Sequence, residues 1–325
     1  MQRRSLFAGC IGFAATVALL PLSVLAQPFP GKPLRIVVGY SAGGAVDIVA
    51  RTLGQSLAAG LGQQVLVDNK PGAGSNIAVK AVIDAPADGY TLLLAANALA
   101  ANMALYTPAP FDAERDLVPV ALIGRVPVVI AANAAAPYST IGQLISAAKD
   151  KPGSIAFATP GNGSTPHMAA ELFARAAGIS LLHIPYRGGA QAVTDVVGGQ
   201  VPLLAMNALE VKPQAASGKL KVLAVLSPQR SPIFPDAPTI AESGFQGFEA
   251  SVWYALMAPA KTPQAVVDRL HAEVQKALQS PEMRERMGGV GGEVIPGSQA
   301  MLASLLHSER ERYATLVRAA HIKPD

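Results

Sequence analysis

Four short stretches carry residue types that can grip an anion with main-chain groups. They are Tyr40-Ser41-Ala42-Gly43-Gly44-Ala45 with Asp47 behind it, Pro71-Gly72-Ala73-Gly74-Ser75-Asn76, Pro160-Gly161-Asn162-Gly163-Ser164-Thr165 with His167 behind it, and Tyr186-Arg187-Gly188-Gly189-Ala190 with Asp195 behind it. Each reads as a turn into a helix, and the first and last follow apolar strand-like runs. The first N–H groups of a helix have no partner inside it and lie at the positive end of its dipole. A turn of this kind can therefore hold a carboxylate or phosphate by backbone alone.

Other chemistries fit these residues less well. Gly43-Gly44 does not complete G-x-G-x-x-G, and no Gly-Lys-Ser/Thr follows it, so neither dinucleotide nor P-loop binding is indicated. Gly163-Ser164-Thr165 and Gly74-Ser75-Asn76 break the G-x-S-x-G pattern of a nucleophile elbow. His167 follows Ser164 by three residues. The pair admits two readings, a nucleophile with its base or a helix start that lines a cleft. The other histidines, His183, His271, His307 and His321, have no metal-ligand spacing, and neither a metal nor a cofactor is expected. Asp47, in a first helical turn, either braces the preceding loop by accepting its N–H groups or meets an ammonium or hydroxyl of a ligand.

The elements that must position these turns alternate. Apolar or β-branched runs at Leu34–Gly39, Val65–Asp68, Thr91–Ala95, Val126–Ala132, Ile155–Ala158, Leu181–Pro185, Leu203–Met206, Leu220–Leu226 and Val252–Ala258 read as strands. Helical spacing lies between them, as in Val46, Val49, Leu53, Leu57 and Leu61, and closes the chain from Ser298 to Ala320. Thr140 with Gln143 reads as a capping box, while Thr262-Pro263 and Ser280-Pro281 read as caps before a first-turn proline. Strand–helix alternation predicts an α/β fold with mainly parallel sheets. The turn after Leu34–Gly39 echoes the turn after Leu181–Pro185, which suggests two similar lobes facing one cleft.

The ends and the composition set the context. Met1-Gln2-Arg3-Arg4, an apolar stretch to Leu25 and the small Ala26 read as a secretory signal peptide over 1–26. Its removal takes Cys10, the only cysteine, so no disulfide or thiol chemistry is expected in the mature chain. The formal charge is +4 over 325 residues, from 26 basic and 22 acidic; without Arg3 and Arg4 it is 24 minus 22, or +2. No Lys/Arg cluster interleaves with aromatics, which argues against a nucleic-acid partner.

In chain order, "FPGKPLRIVVGYSAGGAVDIVARTLGQSL", "VDNKPGAGSNIA", "APADGYTLLLA", "FATPGNGSTPHMAAELF", "IPYRGGAQAVTDVVGGQVPLL", "GKLKVLAV", "RSPIFPDAPTIAESG" and "PAKTPQAVVDRLHAEV" resemble the Bug family. Its members are periplasmic solute-binding receptors of tripartite tricarboxylate transporters. The resemblance covers essentially the whole mature chain. It implies a two-lobed Venus-flytrap fold of the type II periplasmic binding class, with residues 27–127 plus 254–325 forming lobe 1 and 128–253 forming lobe 2. It also implies binding of a small organic anion, a mono- or dicarboxylate, and docking onto permease subunits; nothing in the sequence suggests an obligate dimer, and a monomer is expected.

Carried over by motif, the first-lobe contacts would be Ser41, Ala42, Gly43, Gly44, Ala95 and Asn97. The second lobe would offer Asn162, Gly163, Ser164, Thr165, His167, Gly188, Gly189, Ala190 and Asn207. Tyr186 and Arg187 lead into the last turn; Arg187 either faces solvent at the rim or pairs with a distal carboxylate of the ligand. Two departures from the family pattern stand out. Met206-Asn207 replaces the usual Asp-Asn, which favours a plain carboxylate over an amino acid, and Ser41-Ala42 replaces a pair such as Ala-Pro. The alternatives are a periplasmic hydrolase or isomerase using Ser164 and His167, or a sensing subunit that docks a two-component sensor kinase.

Overall fold

The computed structural model describes residues 29–322 except 249, 290 and 321; the expected signal peptide, residues 1–26, lies outside the described residues. The chain alternates as read: β1 (Leu34–Val38), α1 (Ala45–Leu61), β2 (Val65–Asn69), α2 (Asn76–Ile83), β3 (Thr91–Ala95), α3 (Ala98–Leu105), α4 (Ala113–Asp116), β4 (Leu117–Asn133), α5 (Ile141–Asp150), β5 (Ala156–Thr159) and α6 (Thr165–Ala177). Then come β6 (Leu182–Pro185), α7 (Gly189–Val197), β7 (Leu203–Asn207), α8 (Ala208–Ala216), β8 (Leu220–Val225), β9 (Ser251–Pro259), α9 (Gln264–Gln279), α10 (Pro281–Gly288), β10 (Glu293–Gly297) and α11 (Gln299–Ala320).

The strands form one sheet in the order β2-β1-β3-β9-β4-β7-β5-β6, with β8 and β10 also pairing with β4. Within it β1, β2 and β3 are parallel, as are β5, β6 and β7. The remaining pairings are antiparallel, so the sheet is mixed rather than mainly parallel. β9 runs against β3, and β4 runs against β7, β8, β9 and β10. The physical reason lies in the path of the chain. β4 leaves the first half of the sheet and enters the second, and β9 carries the chain back, so each runs against the βαβ strands it meets.

β4 is the joint. Its residues 117–127 pair with β9, and 128–133 lie between β7 and β8. Pro119, Gly124 and Pro127 hid its first half in the sequence, because these residues ordinarily interrupt a strand. The register slips between Pro119 and Ala121 and again between Leu122 and Gly124, and such bulges absorb the missing donor and the kink. β10 was missed for the same reason, since it contains Pro296 and Gly297.

Alternation along β1 and β3 fills two cores. Ile36 and Val38 with Leu92 and Leu94 face Leu53 and Leu57 of α1 and Leu270 and Val274 of α9. Val37 and Leu93 point the other way, toward Val79, Leu99, Leu302 and Tyr313. Strands buried on both faces read as continuous apolar runs, as these do. The caps follow the sequence at Thr140 and Ser280, whose hydroxyls accept from Gln143 N–H and Met283 N–H. At Thr262 they do not: α9 starts one residue later, with Pro263 at the cap and the Thr262 hydroxyl buried.

Candidate functional site

The turn after β1 is fixed from below by Asp47. Its carboxylate is 3 % exposed, accepts from Gly43 N–H at 2.9 Å and from Asn69 Nδ2 at 2.9 Å, and pairs with Arg51. Burial alone would push Asp47 upward, but the bonds from Arg51, Gly43 and Asn69 hold it below the ordinary aspartate range. Its partners lie in the loop, in α1 and at the end of β2, so here it ties these together rather than reaching into the cleft. Gly43 sits at φ +81, a left-handed conformation that favours glycine, and this turn aims the N-terminus of α1 at the second half of the sheet.

Ser164 and His167 are arranged for structure. Ser164 Oγ donates to Gly161 O at 2.6 Å and accepts from His167 N–H at 3.4 Å, the pattern of an N-cap. His167 Nδ1 accepts from Gly163 N–H at 3.2 Å, so it does not serve as base to the hydroxyl. Its ring stacks on His183 at 4.0 Å, and His183 in turn stacks on Phe157. Burial, with His183 alongside, lowers His167 to about 3; burial lowers His183 to about 4. Both rings are neutral at pH 7.

The turn before α7 meets the turn before α1 directly. Ser41 donates to Arg187 O through its backbone N–H at 3.3 Å and through its hydroxyl at 3.1 Å. Tyr186 OH donates to Asp195 at 2.7 Å, which ties the loop to α7. Gly44, Ala45, Ser164, Thr165, Gly189 and Asn207 come together around one small cavity of about 20 Å³, closed by Tyr40, Ala96, Glu210 and Val252. The N-terminal turns of α1, α6, α7 and α8 thus converge there from both halves of the sheet. In front lies an open vestibule of about 570 Å³, lined by Pro71–Ser75, Tyr106, Asn162, Tyr186 and Arg187.

Of the residues singled out in the sequence, Gly44, Ser164, Thr165, Gly189 and Asn207 line the inner cavity; Asn162, Tyr186 and Arg187 line the vestibule. Ser41, Ala42, Gly43, Gly163 and Gly188 belong to the turns that frame them, Ala190 is the second residue of α7, and Ala95 ends β3 one residue before Ala96. Asn97 is elsewhere. Its amide donates to Glu309 Oε2 at 2.9 Å and Tyr313 OH at 3.1 Å, and its oxygen accepts from Trp253 N–H at 3.0 Å. That bonding anchors α11 and commits both amide hydrogens within the protein.

Glu210 is the residue the sequence reading passed over. It is an acid in the first turn of α8, and its Oε1 accepts from Ala45 N–H of α1 at 3.0 Å, across the cleft. The residue keeps some exposure while its carboxylate is packed inside, and burial, against bonds from Asn207 and Ala45, raises it to about 7. The Pro71–Ser75 turn was also recognised without being assigned to the site. Its Ala73, Gly74 and Ser75 are all left-handed, at φ 47, 58 and 80, and it packs against Asn162.

A cavity of about 510 Å³ lies on β4 and β9 away from the helix N-termini. Its two cations are already paired, Arg125 with Glu293 and Arg230 with Glu242, and among the described residues no helix N-terminus converges on it.

The sequence profile of the tripartite tricarboxylate transporter family receptor matches residues 49–322. The chain belongs to that family. Protein BugT of Bordetella pertussis is 36% identical over 315 residues, which are 96% of this chain and 97% of BugT. The structure of periplasmic binding protein BugD superposes with a TM-score of 0.88 at 35% identity, covering 91% of this chain and 99% of that one. R. palustris Rpa4515 with adipate gives 0.88 at 31% identity over 91% and 100%. MatC from Rhodopseudomonas palustris with bound malate gives 0.85 at 30% over 89% and 100%. The fold is therefore that of the periplasmic binding proteins, and the family consists of solute-binding receptors. Among the described residues, no helix is long and apolar enough to cross a membrane.

Proposed function

We propose that this receptor captures a small organic mono- or dicarboxylate in the periplasm and delivers it to the membrane permease of a tripartite tricarboxylate-type transporter, without transforming it. The observation that carries the reading is the convergence of the α1, α6, α7 and α8 N-termini on one cavity from both halves of the sheet. Helix-start N–H groups, of which Ala45's is taken up by Glu210, and aligned dipoles favour a carboxylate there over a neutral or cationic solute. Adipate and malate in two structural neighbours support the same ligand class.

Capture needs motion, because the inner cavity of about 20 Å³ holds little more than one water. The moving bodies would be lobe 1, residues 27–127 with 254–325, and lobe 2, residues 128–253, hinged where β4 and β9 pass between the halves. Charge-assisted hydrogen bonds are worth about 1.5–3 kcal/mol each. Four of them, less several kcal/mol for association, leave room for micromolar binding, which corresponds to about 8 kcal/mol.

The test is a thermal-shift screen of residues 27–325, unfolded and refolded to strip any carried-over solute, against mono-, di- and tricarboxylates, amino acids and aromatic acids. A true ligand at 100 times its Kd adds about 2.7 kcal/mol of stability. A stabilising carboxylate recovered unchanged supports the reading. Stabilisation only by non-acids, or consumption of the hit, overturns it.

A further inference from the structure

Glu210 reaches out of its own helix. An acid in a first turn ordinarily serves the N–H groups of that turn, but Oε1 of Glu210 accepts from Ala45 N–H, the first residue of α1, at 3.0 Å. A Cβ on Gly44 would lie 3.1 Å from the same oxygen, and one on Gly189, the first residue of α7, would collide with it. The carboxylate therefore lies between the starts of α1 and α7, in the place that a solute carboxylate would take.

Its other oxygen accepts from Asn207 Nδ2 at 2.8 Å. Asn207 is 4 % exposed, and its own Oδ1 has no hydrogen-bond partner among the described residues. Two buried phenols feel the carboxylate in turn, Tyr40 just past β1 and Tyr254 within β9, and both are raised by burial and by Glu210. Among the described residues no Lys, Arg or His forms an ion pair with Glu210. The charge is thus held only by amide donors and helix ends, the same groups that would hold a solute.

We propose that Glu210 is a tethered competitor: its carboxylate occupies the solute position between α1 and α7, bridges the two halves without solute, and has to leave before an external carboxylate binds. This rests on the carboxylate-receptor reading above. It makes Glu210 a specificity-determining residue, since a solute must offer more than the one carboxylate that Glu210 already supplies.

Two variants test it, Glu210→Ser, which removes the group, and Glu210→Gln, which keeps the shape and the bond to Ala45 but not the charge. Solute-free small-angle scattering reads closure directly, and calorimetry with malate and adipate reads affinity. Wild type is expected to scatter as the compact form without solute. Glu210→Ser is expected to scatter as a more open form and to bind at least tenfold tighter, with Glu210→Gln between the two.

Scattering unchanged in both variants with affinities within twofold of wild type overturns the proposal, and so does a loss of affinity in both. If the variants open but neither they nor wild type bind any acid, the tethered contact stands and the solute class falls. If wild type binds malate or adipate and the variants match it throughout, the receptor reading stands and the competitor falls.

Discussion

Asn97→Ala separates anchoring from ligand contact. Asn97 is 2 % exposed and joins three elements: its oxygen takes Trp253 N–H on β9, and its amide serves Glu309 and Tyr313 on α11. Truncation strands Trp253 N–H, at about 1–3 kcal/mol, and removes a charge-assisted bond to Glu309 worth about 1.5–3 kcal/mol. Glu309 keeps Trp253 Nε1 at 3.2 Å and Arg312 at 3.0 Å, so its charge is not left alone.

The expected loss is about 2.5–6 kcal/mol of unfolding free energy, or about 5–12 °C at roughly 2 °C per kcal/mol for a chain of this size. Affinity for a stabilising carboxylate should stay within threefold, because Asn97 does not border the cavity. Asn97→Asp keeps the acceptor for Trp253 N–H but places a second carboxylate beside Glu309, and should destabilise by a similar amount. Urea unfolding alongside calorimetry measures both quantities. A stability change under about 1 kcal/mol with a tenfold loss of affinity would refute the anchoring role and return Asn97 to the site.

Two further perturbations test other parts of the same structure. His167 and His183, lowered by burial to about 3 and 4, stay neutral in the fold while the unfolded chain takes up protons below about 6.5. Their stabilisation is complete above pH 6.5 and is lost as pH falls toward 4, at up to about 1.4 kcal/mol per unit for each ring. Glu210, raised to about 7, opposes them above its unfolded value near 4.5. His183→Gln should therefore flatten the drop in urea midpoint between pH 6.5 and 5, and an unchanged slope would contradict the burial of the pair. Gly74→Ala adds a Cβ 2.7 Å from Asn162 O at a residue with φ +58. It should block full closure, so the solute-induced thermal shift is lost while the fold's own midpoint falls by only a few degrees; a retained shift would show that the cleft closes elsewhere.

Much of this was legible in the amino-acid sequence because it depends on local physics. The nine strands read from apolar runs all form: the central ones are buried on both faces and carry their own signal, and the half-exposed edge strands β2 and β6 are short apolar or β-branched runs. The glycine turns before α1, α6 and α7 were visible because small residues and helix-start hydroxyls have few other uses at those positions. The caps at Thr140 and Ser280 follow from a hydroxyl three residues before a free N–H.

What only the tertiary structure decided is which partner each polar group finds. Asn97 and Glu309 stand 212 residues apart, and Ala45 and Glu210 stand 165 apart; nothing in local spacing distinguishes an asparagine that anchors a helix from one that greets a ligand. Ser164 and His167 are close enough in sequence to admit a catalytic reading, and the neighbouring Gly161 carbonyl and Gly163 N–H commit them to a cap. Pro119 and Pro127 disfavour a regular strand locally, yet β4 runs through both: a bulge takes up Pro119, Pro127 pairs in register with Ser251, and burial outweighs the local cost. Sequence periodicity sets where elements form and which face is apolar. Long-range packing sets where a buried acid finds its donors, and in this receptor that put Glu210 between the starts of α1 and α7.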